Sequence, residues 1–252
     1  MSSPETHVSL TRAGDVATVQ FSTEGGAPNV FSSYVIGELG GHVADLETDA
    51  TLRYVVFRGV GRTFVAGANI KEMAGYDDGQ GRVFSEHGHH VFDAIEALPA
   101  ITIAAINGHA LGGGCEVALA CDFRVMAATG RIGLPECRLG LIPGWGGTQR
   151  LPRLVGPAWA RRLMFSGDAL PAERAQQIGL VDEVVTDASA LDAALQRWFE
   201  LLKPGCPAAV RHIKHALRVG DETHQFALSF KTSEADEGMQ AFIDKRTPPW
   251  AT

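Results

Sequence analysis

The stretch Ile101–Glu116, ITIAAINGHALGGGCE, limits what this chain can fold into more than any other. It begins with an unbroken apolar run, preceded by Pro99 and followed by Asn107-Gly108. A short run with β-branched residues between turn residues is the pattern of a strand buried on both faces. Gly112, Gly113 and Gly114 come next, then an apolar segment compatible with a helix, Cys115–Ala120. Glycine allows backbone to approach closely, and the start of a helix leaves N–H groups without an internal partner. Such groups suit an anion, whether bound or formed during a reaction. Glu116 follows one turn into that helix, so a carboxylate stands beside a site for negative charge. The same run is equally compatible with the phosphate loop of a dinucleotide fold, or with a plain tight turn.

Bulk properties narrow the choice. A chain of 252 residues with 45% apolar content can bury a large core, in one domain or in one domain and an appendage. Its formal charge of −7 argues against general affinity for nucleic acid or an acidic membrane surface. Cys115, Cys121, Cys137 and Cys206 form no CxxC pair and no metal-ligand spacing, and they read as buried thiols in a reducing compartment. Met1–Leu10 is polar and no apolar run approaches membrane-spanning length, so the expectation is a soluble cytoplasmic protein.

Along the chain, Val8–Phe21 reads as a hairpin turning at Ala13-Gly14-Asp15. Phe31, Val35, Leu39, Val43 and Leu46 form a helical stripe, and Leu52–Gly59 is a second buried strand. A glycine-rich loop, Gly59–Ala68, follows, and Gly75–Gly81 reads as a mobile loop. Phe84, Gly88, Val91, Ile95 and Leu98 mark a helix stopped by Pro99. Asp122–Ala127 and Arg131–Leu134 read as strands, Thr148–Leu154 and Trp159–Phe165 as helices, and Val181–Val185 as a closing strand. Pro171 and Gly179 frame one more helix. From Leu191 onward the pattern is helical only, with Ser233 and Asp236 as a capping pair for the last helix. No internal repeat is visible.

Two glycine-rich loops and two carboxylates carry the candidate chemistry. Glu136 lies beyond a strand from Glu116, so the two share no helix face, yet they can converge from different elements as an acid–base pair must. One N–H group from each loop could meet on a single oxygen. The blocks FVAGANIKEM, AAINGHALGGGCEVALACDFRVMA, GLPECRLGLIPGWGGTQRLPRLVG, SGDALPAERAQQIGLVDEVV and FKTSEADEGMQAFIDKR, in this order, resemble the crotonase, or enoyl-CoA hydratase/isomerase, superfamily across nearly the whole chain.

The resemblance implies an α/β fold, a spiral of β-β-α turns over residues 1–190, and a helical trimerisation region over 191–252. It implies homotrimers, or hexamers built as dimers of trimers. The implied substrate is an acyl-CoA thioester, with no metal and no other cofactor. By motif position, Ala68 and Gly113 are the oxyanion donors and Glu116 and Glu136 the catalytic pair, which favours a hydratase over an isomerase, hydrolase or decarboxylase that shares the oxyanion hole and often keeps one glutamate. Glu136 is assigned as proton donor to C2 and Glu116 as activator of water. Ala66, Gly67, Asn69 and Ile70 fall where the family holds the CoA adenine, Gly144 and Trp145 at the acyl pocket, and Phe226 and Lys245 where a neighbouring subunit's CoA is met. Three positions depart from the family pattern. Asn69 stands where aspartate is usual, Ile101 where proline is frequent, and the bulky Trp145 where many relatives have a small residue.

Other readings are weaker. A nicotinamide enzyme would need GxGxxG and an acidic residue at the end of the next strand, but Asp122 sits at its beginning. An RNA-binding relative would need a basic stripe. The His87-Gly88-His89-His90 cluster sits within an amphipathic helix, where a metal site is the poorer explanation, and Glu136 beside Arg138 could be a simple ion pair.

Overall fold

A computed structural model describes residues 5–252, so the first four residues of the polar N-terminal stretch lie outside it. The chain opens with the hairpin β1 (Thr6–Ala13) and β2 (Val16–Thr23), turning at Gly14 with φ +62°. Helix α1 (Ser33–Glu47) buries the expected stripe of Val35, Leu39, Val43 and Leu46. Next are β3 (Tyr54–Gly59), β4 (Thr63–Val65), the one-turn α2 (Ile70–Met73) and α3 (Asp78–Ala97). Then come β5 (Ile101–Ile106), β6 (His109–Leu111) and α4 (Gly113–Ala120), followed by β7 (Phe123–Ala127), β8 (Arg131–Gly133) and α5 (Gly147–Ser166). The last strands are β9 (Ala169–Pro171) and β10 (Glu183–Val185), with α6 (Ala172–Gln177) between them. The remainder is helical: α7 (Leu191–Leu202), α8 (Pro207–Val219), α9 (Glu222–Ser229) and α10 (Ser233–Ile243).

Two sheets result, in the orders β1-β2-β3-β5-β7-β10 and β4-β6-β8-β9. The pairings from β2 through β3, β5 and β7 to β10 are parallel, as are those from β4 through β6 to β8, while the edge strands β1 and β9 pair antiparallel. Each turn therefore lays one strand in the first sheet and one in the second before its helix returns. All six residues of β5 are buried, because side chains on its two faces enter different apolar clusters: Ile101, Ile103 and Ala105 one, Ala104 and Ile106 the other.

The corners between the sheets are set by glycine. A Cβ on Gly108, between β5 and β6, would lie 2.2 Å from the Arg62 carbonyl oxygen of the preceding turn. A Cβ on Gly130, between β7 and β8, would lie 2.2 Å from the carbonyl oxygen of Gly108 itself. Successive corners thus stack backbone on backbone, and any side chain would wedge the turns apart.

Several local expectations are corrected. Strand β4 lies in a stretch read as a loop, and β6 and β9 were not anticipated, because three residues are too few to display an alternation. Asp77, placed in a mobile loop, instead caps α3, with Asp77 and Gln80 bonding reciprocally to each other's N–H groups. The cap of α10 is Thr232, whose hydroxyl accepts from Ala235 N–H, rather than Ser233. Pro171 ends β9 and is the N-cap of α6, not its first residue. The two helical pieces read after Thr148 form one element, α5, interrupted where Gly156 takes φ +77° before Pro157. Ile101 N–H donates to the Arg53 carbonyl at 2.9 Å, a bond that proline at this position would lack. No helix among the described residues is long and apolar enough to cross a membrane.

The corner stacking yields a stability prediction. Gly108→Ala should destabilise the fold by about 1–3 kcal/mol or more, the usual range for overpacking a filled interior, measured by urea unfolding. Gly41→Ala is the control, since a Cβ at that exposed helical position meets nothing within 4 Å.

Candidate active site

Helix α4 is the centre of the site, and all eight of its residues are buried. It can sit so deep because its starting glycines lack side chains: a Cβ on Gly114 would lie 2.0 Å from the Val65 carbonyl oxygen, and one on Gly113 would lie 2.4 Å from the Trp145 ring. Gly112 makes the entry turn at φ +52°, ψ −122°, which side-chain-bearing residues rarely adopt. The Gly113 N–H at the first helical position has no partner inside the helix. From the other loop, Phe31 N–H donates to Gly67 O and Asn69 N–H donates to Phe31 O. In this parallel bridge the intervening Ala68 directs its own N–H away from Phe31.

Both amides border one cavity of about 470 Å³, together with Glu116 and Glu136. Ala66, Gly67, Ile70, Gly144 and Trp145 also line it, so nine of the twelve sequence-predicted site residues converge there. The other three do not. Asn69 turns away to cap α2, its side-chain oxygen accepting from Lys71 and Glu72 N–H. Phe226 is 67% exposed and packs edge-on against Phe230, and Lys245 follows the end of α10 with φ +55°.

The two carboxylates sit in unlike surroundings. Glu116 is 2% exposed, and its Oε1 accepts from Trp145 N–H at 2.7 Å and Gly147 N–H at 2.9 Å. Burial pushes its pKa up to about 7; the N–H bonds and the Arg150 charge resist the rise, and Glu136 adds to it. Glu136 opens the short turn Glu136–Leu139 after Pro135, half-buried, with Oε2 shut from solvent and lacking any protein hydrogen bond. Burial raises its pKa as well. Arg138 does not pair with it and forms its ion pair with Asp168 instead. A buried, unpartnered carboxyl oxygen beside a second carboxylate can hold and release a proton at the cavity wall.

Trp145 is both wall and core, only 3% exposed and packed among Phe31, Phe84 and Phe92. Its indole N–H donates to the Phe84 carbonyl, and its ring fills the space that a Cβ on Gly88 would need. Sequence reading missed Ser85 and His89 of α3, which hold the Gly144 carbonyl at 2.6 and 2.9 Å. Their spacing of four on the helix was the available signal, obscured by the neighbouring histidines. Leu139, Leu141 and Ile142 were also missed, although they line the cavity while 56%, 43% and 74% exposed. Among the described residues, no group of three or more His, Cys, Asp or Glu side chains is placed to hold a metal ion.

The sequence model for enoyl-CoA hydratase/isomerase matches residues 11–252. The chain belongs to this family. Among members of the enoyl-CoA hydratase/isomerase family, a short-chain-enoyl-CoA hydratase of Clostridium acetobutylicum is 37% identical over 251 residues, 95% of each protein. A crotonyl-CoA hydratase of Syntrophomonas wolfei is 39% identical, covering 87% of this chain and 88% of that protein. The crystal structure of an enoyl-CoA hydratase from Bacillus anthracis superposes with a TM-score of 0.87 at 36% identity, covering 96% of this chain and 97% of that one.

The Glu116 environment makes stability depend on pH. Because the folded pKa is raised from 4.5 to about 7, stability from the neutral carboxyl is full below 4.5 and lost as pH rises through 7. Glu116→Gln, neutral throughout, should gain on the wild type between pH 5 and pH 8. The free-energy gap in urea titrations should widen by up to about 3 kcal/mol.

Proposed function

We propose that this chain is an enoyl-CoA hydratase, adding water reversibly across the 2,3 double bond of a 2-enoyl-CoA thioester. The observation that carries the reading is the meeting of two backbone N–H donors and two glutamates around one cavity. In the proposed reaction, the thioester oxygen accepts from the Ala68 and Gly113 N–H groups. Hydration at C3 moves negative charge onto that oxygen as an enolate, and the start of α4 stabilises it. One such donor is worth about 3–4 kcal/mol of barrier. Glu116 activates the water, its carboxylate held by two N–H groups, and Glu136 delivers a proton to C2. That division is supported by Glu136 Oε2, which no protein donor engages. The reaction needs no metal and no redox cofactor.

The proposal extends to assembly. Residues 191–252 carry exposed apolar side chains, among them Leu217 at 82%, Phe226 at 67% and Phe242 at 86% exposure, which favours a region that packs against copies of itself in a trimer or a hexamer. In such an assembly Phe226 and Lys245 would meet the CoA of a neighbouring subunit, with the Lys245 ammonium on an adenosine phosphate. The four free cysteines, two of them buried, fit the reducing cytoplasm.

Loss of the enoyl absorbance of crotonyl-CoA tests the reaction, and Glu116→Gln and Glu136→Gln should each lower kcat about 10²–10⁴-fold. Unchanged rates in both variants would remove the glutamates from the mechanism, and absence of hydration in the wild type would point to another acyl-CoA reaction. Trp145→Ala should shift preference toward longer acyl chains, read as kcat/KM across C4 to C10 enoyl-CoAs. Lys245→Ala should raise KM for crotonyl-CoA and leave kcat near the wild-type value, and light scattering should report at least a trimer.

A further inference from the structure

Behind the cavity, Arg150 of α5 is 5% exposed and reaches back over the turn that precedes its own helix. Its Nη1 donates to the Trp145 carbonyl at 3.0 Å, its Nε to Glu96 at 2.7 Å, and its Nη2 pairs with Asp93, both acids belonging to α3. The guanidinium comes so close to the turn that a Cβ on Gly146 would lie 2.0 Å from Nη1, and Gly146 has φ +102°. On its inner side, the same turn sends the Trp145 and Gly147 N–H groups to Glu116 Oε1. Arg150 touches neither the cavity nor the reacting atoms.

We propose that Arg150 is a positioning residue for the hydration reaction: it holds the Trp145 carbonyl so that both N–H groups of the turn stay on the Glu116 carboxylate. This inference rests on Glu116 acting as the base that activates water. The guanidinium fork fixes the Trp145–Gly146 peptide plane, which lies between the planes carrying the Trp145 and Gly147 N–H groups, and so limits the rotation of both flanking planes. Without the fork the Trp145 carbonyl loses its anchor, although Gly144, the indole and the Gly146 carbonyl keep theirs, and the two N–H bonds to Glu116 lengthen. The ionised carboxylate then loses hydrogen bonds and a nearby positive charge together, so its proton is held more tightly. The other ionisable groups facing it are Glu136, from the turn after β8, and His89, from α3, which shares the cavity.

The test reads Glu116 itself as well as turnover. For each arginine variant, infrared difference spectra against the same protein carrying Glu116→Gln follow the carboxyl band with pH, and kcat/KM for crotonyl-CoA is measured over the same range. In Arg150→Met, the band midpoint and the acid limb of kcat/KM should both move up by about one pH unit, with KM little changed. Arg150→Lys keeps the charge but cannot span Glu96 and the Trp145 carbonyl together, and it should shift both in the same direction by less. Arg153→Ala, which removes an exposed partner of Glu96, should move neither. A folded Arg150→Met whose band midpoint stays at the wild-type value overturns the inference. If that variant does not fold, an unshifted Arg150→Lys overturns it. Should the wild type fail to hydrate crotonyl-CoA, the hydratase reading falls, while the carboxyl band still decides whether Arg150 governs Glu116.

Discussion

A carboxylate buried to 2% exposure is tolerable only with specific compensation, and in this protein the Trp145 and Gly147 backbone N–H groups provide it. Those two hydrogen bonds organise much around them. They require the Pro143–Gly147 turn to lie against α4, and α4 to run through the middle of the molecule rather than along its surface. They also require α3 to hold the turn from behind, through Ser85 and His89 on Gly144, Phe84 on the indole, and Asp93 and Glu96 on Arg150. The buried aromatic cluster of Phe31, Phe92 and Trp145 packs against the other side of the turn.

The glycines follow the same logic. Gly113 and Gly114 let the first turn of α4 come within van der Waals reach of Trp145 and Val65, and Gly88 leaves room for the indole on α3. The corner glycines Gly108 and Gly130 bring consecutive spiral turns to backbone contact, which sets the two glycine-rich loops side by side. Loops separated by more than forty residues thus line a single cavity because the spiral places β4 and β6 as neighbouring strands.

How much of this was legible in the sequence differs by scale. Long stripes and apolar runs gave α1, α3 and β5 directly, since a buried face repeats often enough to be seen. Of the second sheet only β8 was legible, as Arg131–Leu134; β4, β6 and β9 were not, because three residues are too few to show an alternation. The spiral is likewise a repeat of backbone path and not of side chains, so no sequence repeat announced it. Glu116 and Glu136 were identified by motif resemblance, and their spacing could not show that they meet. Arg150 escaped notice altogether, because a single arginine on an amphipathic helix looks solvated until its partners on α3 are placed. The use of the Asn69 side chain as the cap of a one-turn helix was likewise not visible, because the resemblance marked this position only as part of a backbone segment near the CoA adenine.

The unlike anchoring of the two glutamates also argues for unlike roles. Glu116 has its geometry fixed by N–H groups that favour the ionised form, so its rise to about 7 reflects burial working against them. Glu136 enters on a short turn behind Pro135 with one oxygen satisfied by no protein group, and burial there favours the neutral acid. A fixed carboxylate suits the base in the proposed reaction, because it holds water at a constant angle to C3. A carboxyl without a competing protein donor suits the acid, because its proton can go only to substrate or to water. Glu116 lies in the fully buried first turn of α4, whereas Glu136 is half-buried at the start of a short 3-10 turn in the cavity wall.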